Sequence, residues 1–372
     1  MTTATSATLP ELLARADIGL DGARPWDLDL HDRRFFDRIV AQGAMGFGES
    51  YMDGWWDCAA IDQLVCRIVV ADIPGQLRRD RELLLSYLRG VLFNAQRRRV
   101  TEVGEKHYDI GNDLYSRMLD PRMVYSCGYW AQATTLADAQ EAKLDLICRK
   151  IGLGPGMRVL DVGSGWGGFL KFAAERYGIS GVGITISKEQ AAFAEAAKGD
   201  LPIQTRLTDY MALEDERFDR IVSIGMFEHV GYKNYRRYMT KVKSLLEPQG
   251  LFLLHSIGGN LSTTHGDPWV EKYIFPNGML PSQKQLATAS EGLFVMEDWH
   301  NFGADYDRTL MAWHQNFTLA WPELAGRYGP RFERMWRFYL LSFAGVFRAR
   351  RLQLWQLVYS PEGVPGGYVS RR

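Results

Sequence analysis

The chain has 372 residues, enough for two domains, and its 44 lysines and arginines balance 44 aspartates and glutamates. That balance argues against a bulk field steering it toward nucleic acid, so an anionic partner has to be met by local basic clusters. The four cysteines lack CxxC spacing and fit a reducing compartment, and the histidines form neither HExxH nor a His/Cys cluster, so no metal is expected.

Residues 1–100 read as a smaller, mainly helical N-terminal domain. Phe35-Phe36-Asp37-Arg38-Ile39-Val40 is helix-like, and 61–70 and 83–93 carry apolar residues at three and four spacing. Between them lies Gly46-Phe47-Gly48-Glu49-Ser50-Tyr51-Met52-Asp53-Gly54-Trp55-Trp56-Asp57, whose glycines are expected to mark turns and whose aromatics are expected to plug a core. The polar stretch 97–104 is the expected linker into a catalytic domain over 101–372. The N-terminus lacks a basic start followed by an apolar core, which argues against a secretory signal. Apolar runs such as 338–347 fall short of the ~18 residues of a membrane span, so any work on lipid is done from the surface.

From Met157 the pattern changes to alternating strands and helices. Strands are expected at 158–162, 181–186, 203–207, 219–224, 251–256, 293–299 and 352–359, and helices at 169–177, 188–197, 235–246, 308–324 and 331–347. The implied fold is α/β: a doubly wound, Rossmann-like sheet of about seven strands with an antiparallel edge.

Within it, Val159, Leu160, Asp161 and Val162 run into Gly163, Ser164, Gly165, Trp166 and Gly167. Apolar residues entering a glycine-dense turn and then a helix make a nucleotide-binding strand-turn-helix, where the missing Cβ atoms let backbone N–H groups approach a ligand. A dinucleotide would call for GxGxxG and an acidic residue ~20 positions on. Here the spacing is GxGxGG, and the next strand ends Thr185, Ile186, Ser187 without a carboxylate. S-adenosylmethionine, which has no pyrophosphate, fits better, with Asp161, Thr185, Lys188 and Gln190 as polar contacts.

Several further motifs stand in order: Glu105-Lys106-His107-Tyr108-Asp109-Ile110-Gly111-Asn112, Val124-Tyr125-Ser126-Cys127-Gly128-Tyr129-Trp130, Gly183-Ile184-Thr185-Ile186-Ser187-Lys188-Glu189-Gln190, Met226-Phe227-Glu228-His229-Val230-Gly231 and Leu254-His255-Ser256-Ile257-Gly258. With Tyr273-Ile274-Phe275-Pro276 and Trp299-His300-Asn301-Phe302-Gly303 plus Tyr306, they make roughly residues 100–360 resemble the cyclopropane fatty acid phospholipid synthases, within the class I methyltransferases. The early Tyr51-Met52-Asp53-Gly54-Trp55-Trp56 is similar to the N-terminal domain of phospholipid-acting members.

The resemblance implies transfer of a methylene from S-adenosylmethionine across a cis double bond of a phospholipid acyl chain. Methyl transfer leaves a carbocation, and loss of a proton from the new methyl closes the ring, so a base is needed in a site sheltered from water. It also implies a bound bicarbonate, in a pocket to which Cys127, Glu228, His255, Ile257 and Tyr306 correspond. Cys127 and Ile257 would contribute backbone, and Glu228, His255 and Tyr306 side chains. For the cofactor, Tyr125 and Ser126 are expected at the methionine end, 159–167 around it, Thr185, Ile186, Ser187, Lys188 and Gln190 toward ribose and adenine, and Asp209 and Tyr210 beside the adenine. The rings of Tyr108, Trp130 and Tyr306 are expected to face the developing cation.

From composition alone, Cys127 reads as inert packing, Glu228 as a helix-start carboxylate and His255 as a core histidine. Arg97-Arg98-Arg99, Arg236-Arg237 with Lys241 and Lys243, and Arg348 with Arg350-Arg351 read singly as solvated faces and together as contacts for anionic head groups. The expected setting is cytoplasmic, as a homodimer on the inner face of the membrane with unsaturated phospholipids as partners. Methylation of the same alkene to a methyl-branched or methylene product, and non-catalytic cofactor binding at a membrane, are the competing readings.

Overall fold

A computed structural model of the protein describes residues 8–79 and 110–372. The expected 83–93 helix and 97–104 linker, the Arg97-Arg98-Arg99 cluster, Tyr108 and most of its motif lie outside the described residues. Two compact units emerge, and neither is one continuous stretch. The first joins the described residues up to Leu114 with Gly266–Pro276 and Leu310–Arg351; the second holds Tyr115–His265, Asn277–Thr309 and Leu352–Arg372. A division at residue 100 therefore leaves out two segments that belong to the helical unit. The physical reason is the helix Pro330–Arg348, which buries Phe332, Met335, Trp336 and Tyr339. It approaches the helix Ile61–Val70 so closely that a Cβ on Gly345 would lie 2.4 Å from the Asp62 carbonyl oxygen.

In this unit β1 (Asp29–Leu30) and β2 (Trp56–Asp57) pair antiparallel. Gly46 and Gly48 do not mark turns; they sit inside the helix Ala44–Met52, and the left-handed glycines are Gly43 and Gly54 on either side of it. Close packing explains the choice at Gly48, where a Cβ would meet the Trp269 ring at 2.4 Å. The aromatics do plug a core: Phe47 stacks on Trp56 at 4.8 Å, with Tyr51 tilted and Phe338 edge-on against the same indole. Beside it Glu49 accepts hydrogen bonds from Arg38 (2.7 Å), Lys272 (2.7 Å) and Tyr273 (2.8 Å). Burial opposes its ionisation, but these donors outweigh it and hold the carboxyl below its ordinary range.

The second unit is a seven-stranded sheet of β3 (Arg158–Val162), β4 (Ser180–Thr185), β5 (Ile203–Leu207), β6 (Phe218–Ile224), β7 (Leu246–Gly259), β8 (Val295–Asn301) and β9 (Leu352–Ser360). Its spatial order is β5-β4-β3-β6-β7-β9-β8; the first five strands are parallel, and β9 pairs antiparallel with both β7 and β8. Side chains alternate across the sheet, and both faces are covered. Leu160, Val162, Phe252, Leu254, Leu357 and Tyr359 enter one core; Val159, Leu253 and Val358 enter the other, with Leu144, Ile147 and Phe169. The same alternation sends Asp161, His255 and Gln356 to the second face.

That face is covered by a helix not foreseen in the sequence, Leu136–Lys150, started by the Thr135 hydroxyl accepting from Asp138 N–H at 3.2 Å. Gln140, Lys143 and Lys150 interrupt its buried stripe, and this break in apolar periodicity hid the element. Of these residues Lys143 acts electrostatically on Asp161 of β3 and His255 of β7, Gln140 bonds the segment before the helix, and Lys150 Nζ lies 3.0 Å from His300 Nδ1 of β8.

Candidate active site

Three left-handed glycines, Gly163, Gly165 and Gly167 at φ of 83°, 54° and 81°, shape the turn after β3. The N–H groups of Gly163 and Ser164 both donate to the Ile184 carbonyl at 3.0 and 2.9 Å, which fixes the turn to β4. A Cβ at Gly163 would strike Met226 at 2.6 Å, whereas one at Gly165 would meet nothing within 4 Å. Gly165 therefore presents bare backbone to open space, where a ligand can approach. Asp161, at the strand end, is buried, and its Oδ1 has no hydrogen-bond partner. Burial pushes its pKa up to about 7, against the opposing charge of Lys143.

At the tip of β4, Thr185 Oγ1 donates to Gln190 Oε1 at 2.9 Å and accepts from Ser187 N–H, and Ser187 caps the helix Lys188–Ala197. Ile186 and Lys188 are exposed. Thr208 N–H donates to the Thr185 carbonyl, which brings the end of β5 alongside. There Asp209 accepts from Met211 N–H at 2.8 Å and Tyr210 sits edge-on to Tyr238. Tyr125 reaches the glycine turn through Tyr115, which lies 5.2 Å from its ring and 4.9 Å from that of Trp166.

Glu228 lies in the short turn Phe227–His229 after β6. Its Oε1 accepts from Ile257 N–H at 2.7 Å, while Oε2 is buried without a partner. Burial pushes the carboxyl up to about 7, opposed by the Ile257 bond. His255 is also buried; its Nδ1 lies 3.2 Å from Gln356 Nε2, and its Nε2 has no partner. Since the amide nitrogen can only donate, Nδ1 is the acceptor and the ring proton sits on Nε2. Burial, with the charges of Lys143 and Lys150, holds this imidazole well below its ordinary pKa, so it is neutral. Among the described residues a donor on His255, two residues along β7 from Ile257, and an acceptor on the carboxylate bonded to Ile257 N–H thus stand buried and unused.

Cys127 donates to the Gly128 carbonyl at 3.2 Å and lies 3.8 Å from Thr309 Oγ1. Burial raises its pKa well above that of a free thiol, which favours the protonated form. Thr309 also accepts from Gly128 N–H (3.1 Å) and Trp130 Nε1 (2.8 Å), and it stands one turn beyond buried Tyr306 on the helix Ala304–Tyr328. Contacts therefore join Glu228 to Ile257 directly, and Cys127 to the helix of Tyr306 through Thr309. Phe302 links the groups, its ring 6.0 Å from that of His255 just before that helix. One face of the Trp130 ring is taken by the Arg308 guanidinium, 4.6 Å from its centre.

Sequence reasoning missed Gln140, Lys143, Thr309 and Gln356. For Lys143 the available signal was a lysine in register with apolar Leu144 and Ile147. The basic clusters within the described residues are partly committed: Arg236, Lys241 and Lys243 donate to main-chain carbonyls, Arg348 pairs with Asp62 and Arg351 reaches the Val69 carbonyl. Among the described residues no group of three His, Cys, Asp or Glu could hold a metal.

A sheet of this order, with a glycine turn after β3 and polar groups gathered at the carboxyl ends of β3, β4 and β6, defines the class I S-adenosylmethionine-dependent methyltransferase fold. A cyclopropane synthase from Mycobacterium tuberculosis matches with a TM-score of 0.63 at 30% identity, over 69% of this chain and 97% of that one. A mycolic acid cyclopropane synthase complexed with SAH and CTAB gives 0.64 at 32%, over 68% and 95%. The family model of mycolic acid cyclopropane synthetase matches residues 95–357, and the chain belongs to that family. The cyclopropane-fatty-acyl-phospholipid synthase of Escherichia coli K12 is 52% identical over 96% of this chain and 93% of its own length. A tuberculostearic acid methyltransferase of Mycobacterium tuberculosis is 32% identical over 88% and 81%.

Proposed function

We propose that the protein transfers a methylene from S-adenosylmethionine across a cis double bond of an unsaturated phospholipid acyl chain, giving a cyclopropane and S-adenosylhomocysteine. The carrying observation is the buried Glu228 and His255 pair, each with an unused polar atom, on a chain 52% identical to a synthase named for that reaction. The alkene takes the sulfonium methyl, the positive charge moves to the other alkene carbon, and loss of one methyl proton closes the ring. The glycine turn and Asp161 would hold the cofactor, with Ser126 for its methionyl end and Thr185 and Gln190 for the ribose.

Glu228 Oε2 and His255 Nε2–H fit a small hydrogen-bonding anion such as bicarbonate, which when bound would supply a base. Glu228, His255 and Tyr306 would hold it with side chains. Ile257 would offer only its carbonyl, because its N–H is taken by Glu228. Neutral His255 would donate through Nε2–H, and Glu228, whose pKa burial raises, would donate in its protonated form, so both would orient the anion.

Expression in a host with unsaturated phospholipids but no cyclopropanes tests the reaction. Lipids gaining one CH2, with loss of the alkene and a cyclopropane signal by NMR, are expected; a methyl-branched or exocyclic methylene product overturns it. The relative named for tuberculostearic acid methylation keeps that second reading in view. Docking on the inner face of the membrane and assembly as a homodimer belong to the same proposal. Among the described residues no helix is long and apolar enough to cross a membrane. Sedimentation with anionic vesicles should weaken with salt, since surface attraction is screened over ~8 Å at physiological ionic strength. Activity on bilayers without any low-salt binding would remove the docking idea.

A further inference from the structure

Lys143 has no solvent exposure, and among the described residues no carboxylate lies within ion-pairing distance of it. Among these residues its one hydrogen bond runs from Nζ to Ser126 Oγ at 2.8 Å. One turn earlier on the same helix, Gln140 Nε2 donates to the Ser126 carbonyl at 2.7 Å and to the Val124 carbonyl at 3.4 Å. Asp120 holds the approach to this segment by accepting from the N–H groups of Arg122 and Val124, both at 2.9 Å. The 122–126 segment is thus gripped through main chain and side chain, with an ammonium at its end.

Two features say what that ammonium is for. An ammonium has no lone pair, so Ser126 must accept from it, and the hydroxyl hydrogen is left to point away from the lysine toward another acceptor. Ser126 lies beside Gly225, where an added Cβ would sit 3.9 Å from its own, and neighbouring Tyr125 reaches the glycine turn through Tyr115. From β3, Asp161 faces the same lysine with Oδ1 unpartnered. A buried ammonium and a buried carboxyl therefore stand together beside the turn, groups suited to the α-carboxylate and α-ammonium of a methionyl group.

We propose that Lys143 is a positioning residue for S-adenosylmethionine: through Ser126 it directs a hydroxyl donor, backed by positive charge, at the methionyl carboxylate. This rests on the cofactor reading above. Burial lowers the pKa of Lys143 to about 8, with Asp120, Cys127 and Asp161 opposing the shift, so the ammonium form predominates at neutral pH.

Calorimetry of the full chain with S-adenosylhomocysteine and with 5′-methylthioadenosine, which lacks the amino-acid group, tests this. Lys143→Met should weaken S-adenosylhomocysteine on the order of 10- to 100-fold, the span of a lost hydrogen bond to a charged group, and leave methylthioadenosine within about twofold. Ser126→Ala should do the same, and the double variant should be no worse than the weaker-binding single, because the two act as a unit. In turnover assays, KM for S-adenosylmethionine should rise more than kcat falls. Equal loss for both nucleosides, or additive losses in the double variant, would mean Lys143 merely supports the fold and overturns the proposal. If Lys143→Met does not fold, Ser126→Ala carries the test: selective loss supports the proposal, and equal loss or none overturns it. Wild-type protein that binds neither nucleoside would instead overturn the cofactor reading itself.

Discussion

Glu49 and Glu228 are shielded carboxylates, one in each unit, and they shift in opposite directions. Glu49 receives three donors and is held ionised; Glu228 receives one, keeps an idle oxygen, and is pushed up to about 7. Folding alone favours the first arrangement, because an under-satisfied buried acid costs stability. The second persists where a group must exchange hydrogen bonds with something the chain does not supply, so the contrast separates fastening from chemistry.

Replacing each acid tests that contrast. Glu228→Gln keeps the shape but cannot change protonation, and turnover should fall roughly 10²- to 10⁴-fold with cofactor affinity nearly unchanged. A loss under threefold would make Glu228 a fastening residue like Glu49. Glu49→Gln should instead cost about 3 kcal/mol, as expected when a shielded ion-pair network loses its anion, read by denaturant unfolding. Turnover per folded molecule should stay within about twofold.

The pH dependence should separate them again. Glu228 has a folded pKa above its ordinary 4.5, so its contribution relative to Gln is fully present below that value. It is lost as pH rises through about 7, on the order of 3 kcal/mol at ~1.4 kcal/mol per unit. Glu49 is depressed, so its contribution is present above 4.5 and lost as pH falls. Melting temperatures of wild type and both variants from pH 4 to 8 should diverge at opposite ends; parallel curves would erase the distinction. The smallest effect is expected for Cys127→Ser, which should retain activity within about threefold, since a buried thiol with a raised pKa is not the reacting group. A dead Cys127→Ser, with a wild-type rate indifferent to removal of bicarbonate, would place the chemistry on the thiol.

The sheet was legible because its strands are apolar runs bounded by turns, and the ends of β3 and β5 fell on the expected residues. Glycines at 163, 165 and 167 announced the turn through conformations only they adopt easily. The helix Leu136–Lys150 was not legible: its buried face carries Gln140, Lys143 and Lys150, the residue types that periodicity assigns to solvent. Gly46 and Gly48 misled for the converse reason, since their lack of a side chain serves packing rather than a turn. His255 and Gln356 are opposite each other on β7 and β9, a pairing across 101 residues that no local pattern encodes.

The position of β9 also constrains how the molecule is made. It follows β8 in the chain, yet it lies between β7 and β8, and it comes after a long excursion, Leu310–Arg351, that belongs to the other unit. A nascent chain that has produced β8 holds two open strand edges, and His255 still lacks its amide neighbour. The face that carries Asp161 and His255 is therefore completed only once β9 has been made, and a fragment ending before Leu352 would carry the whole glycine turn while leaving its sheet open to pairing with other chains.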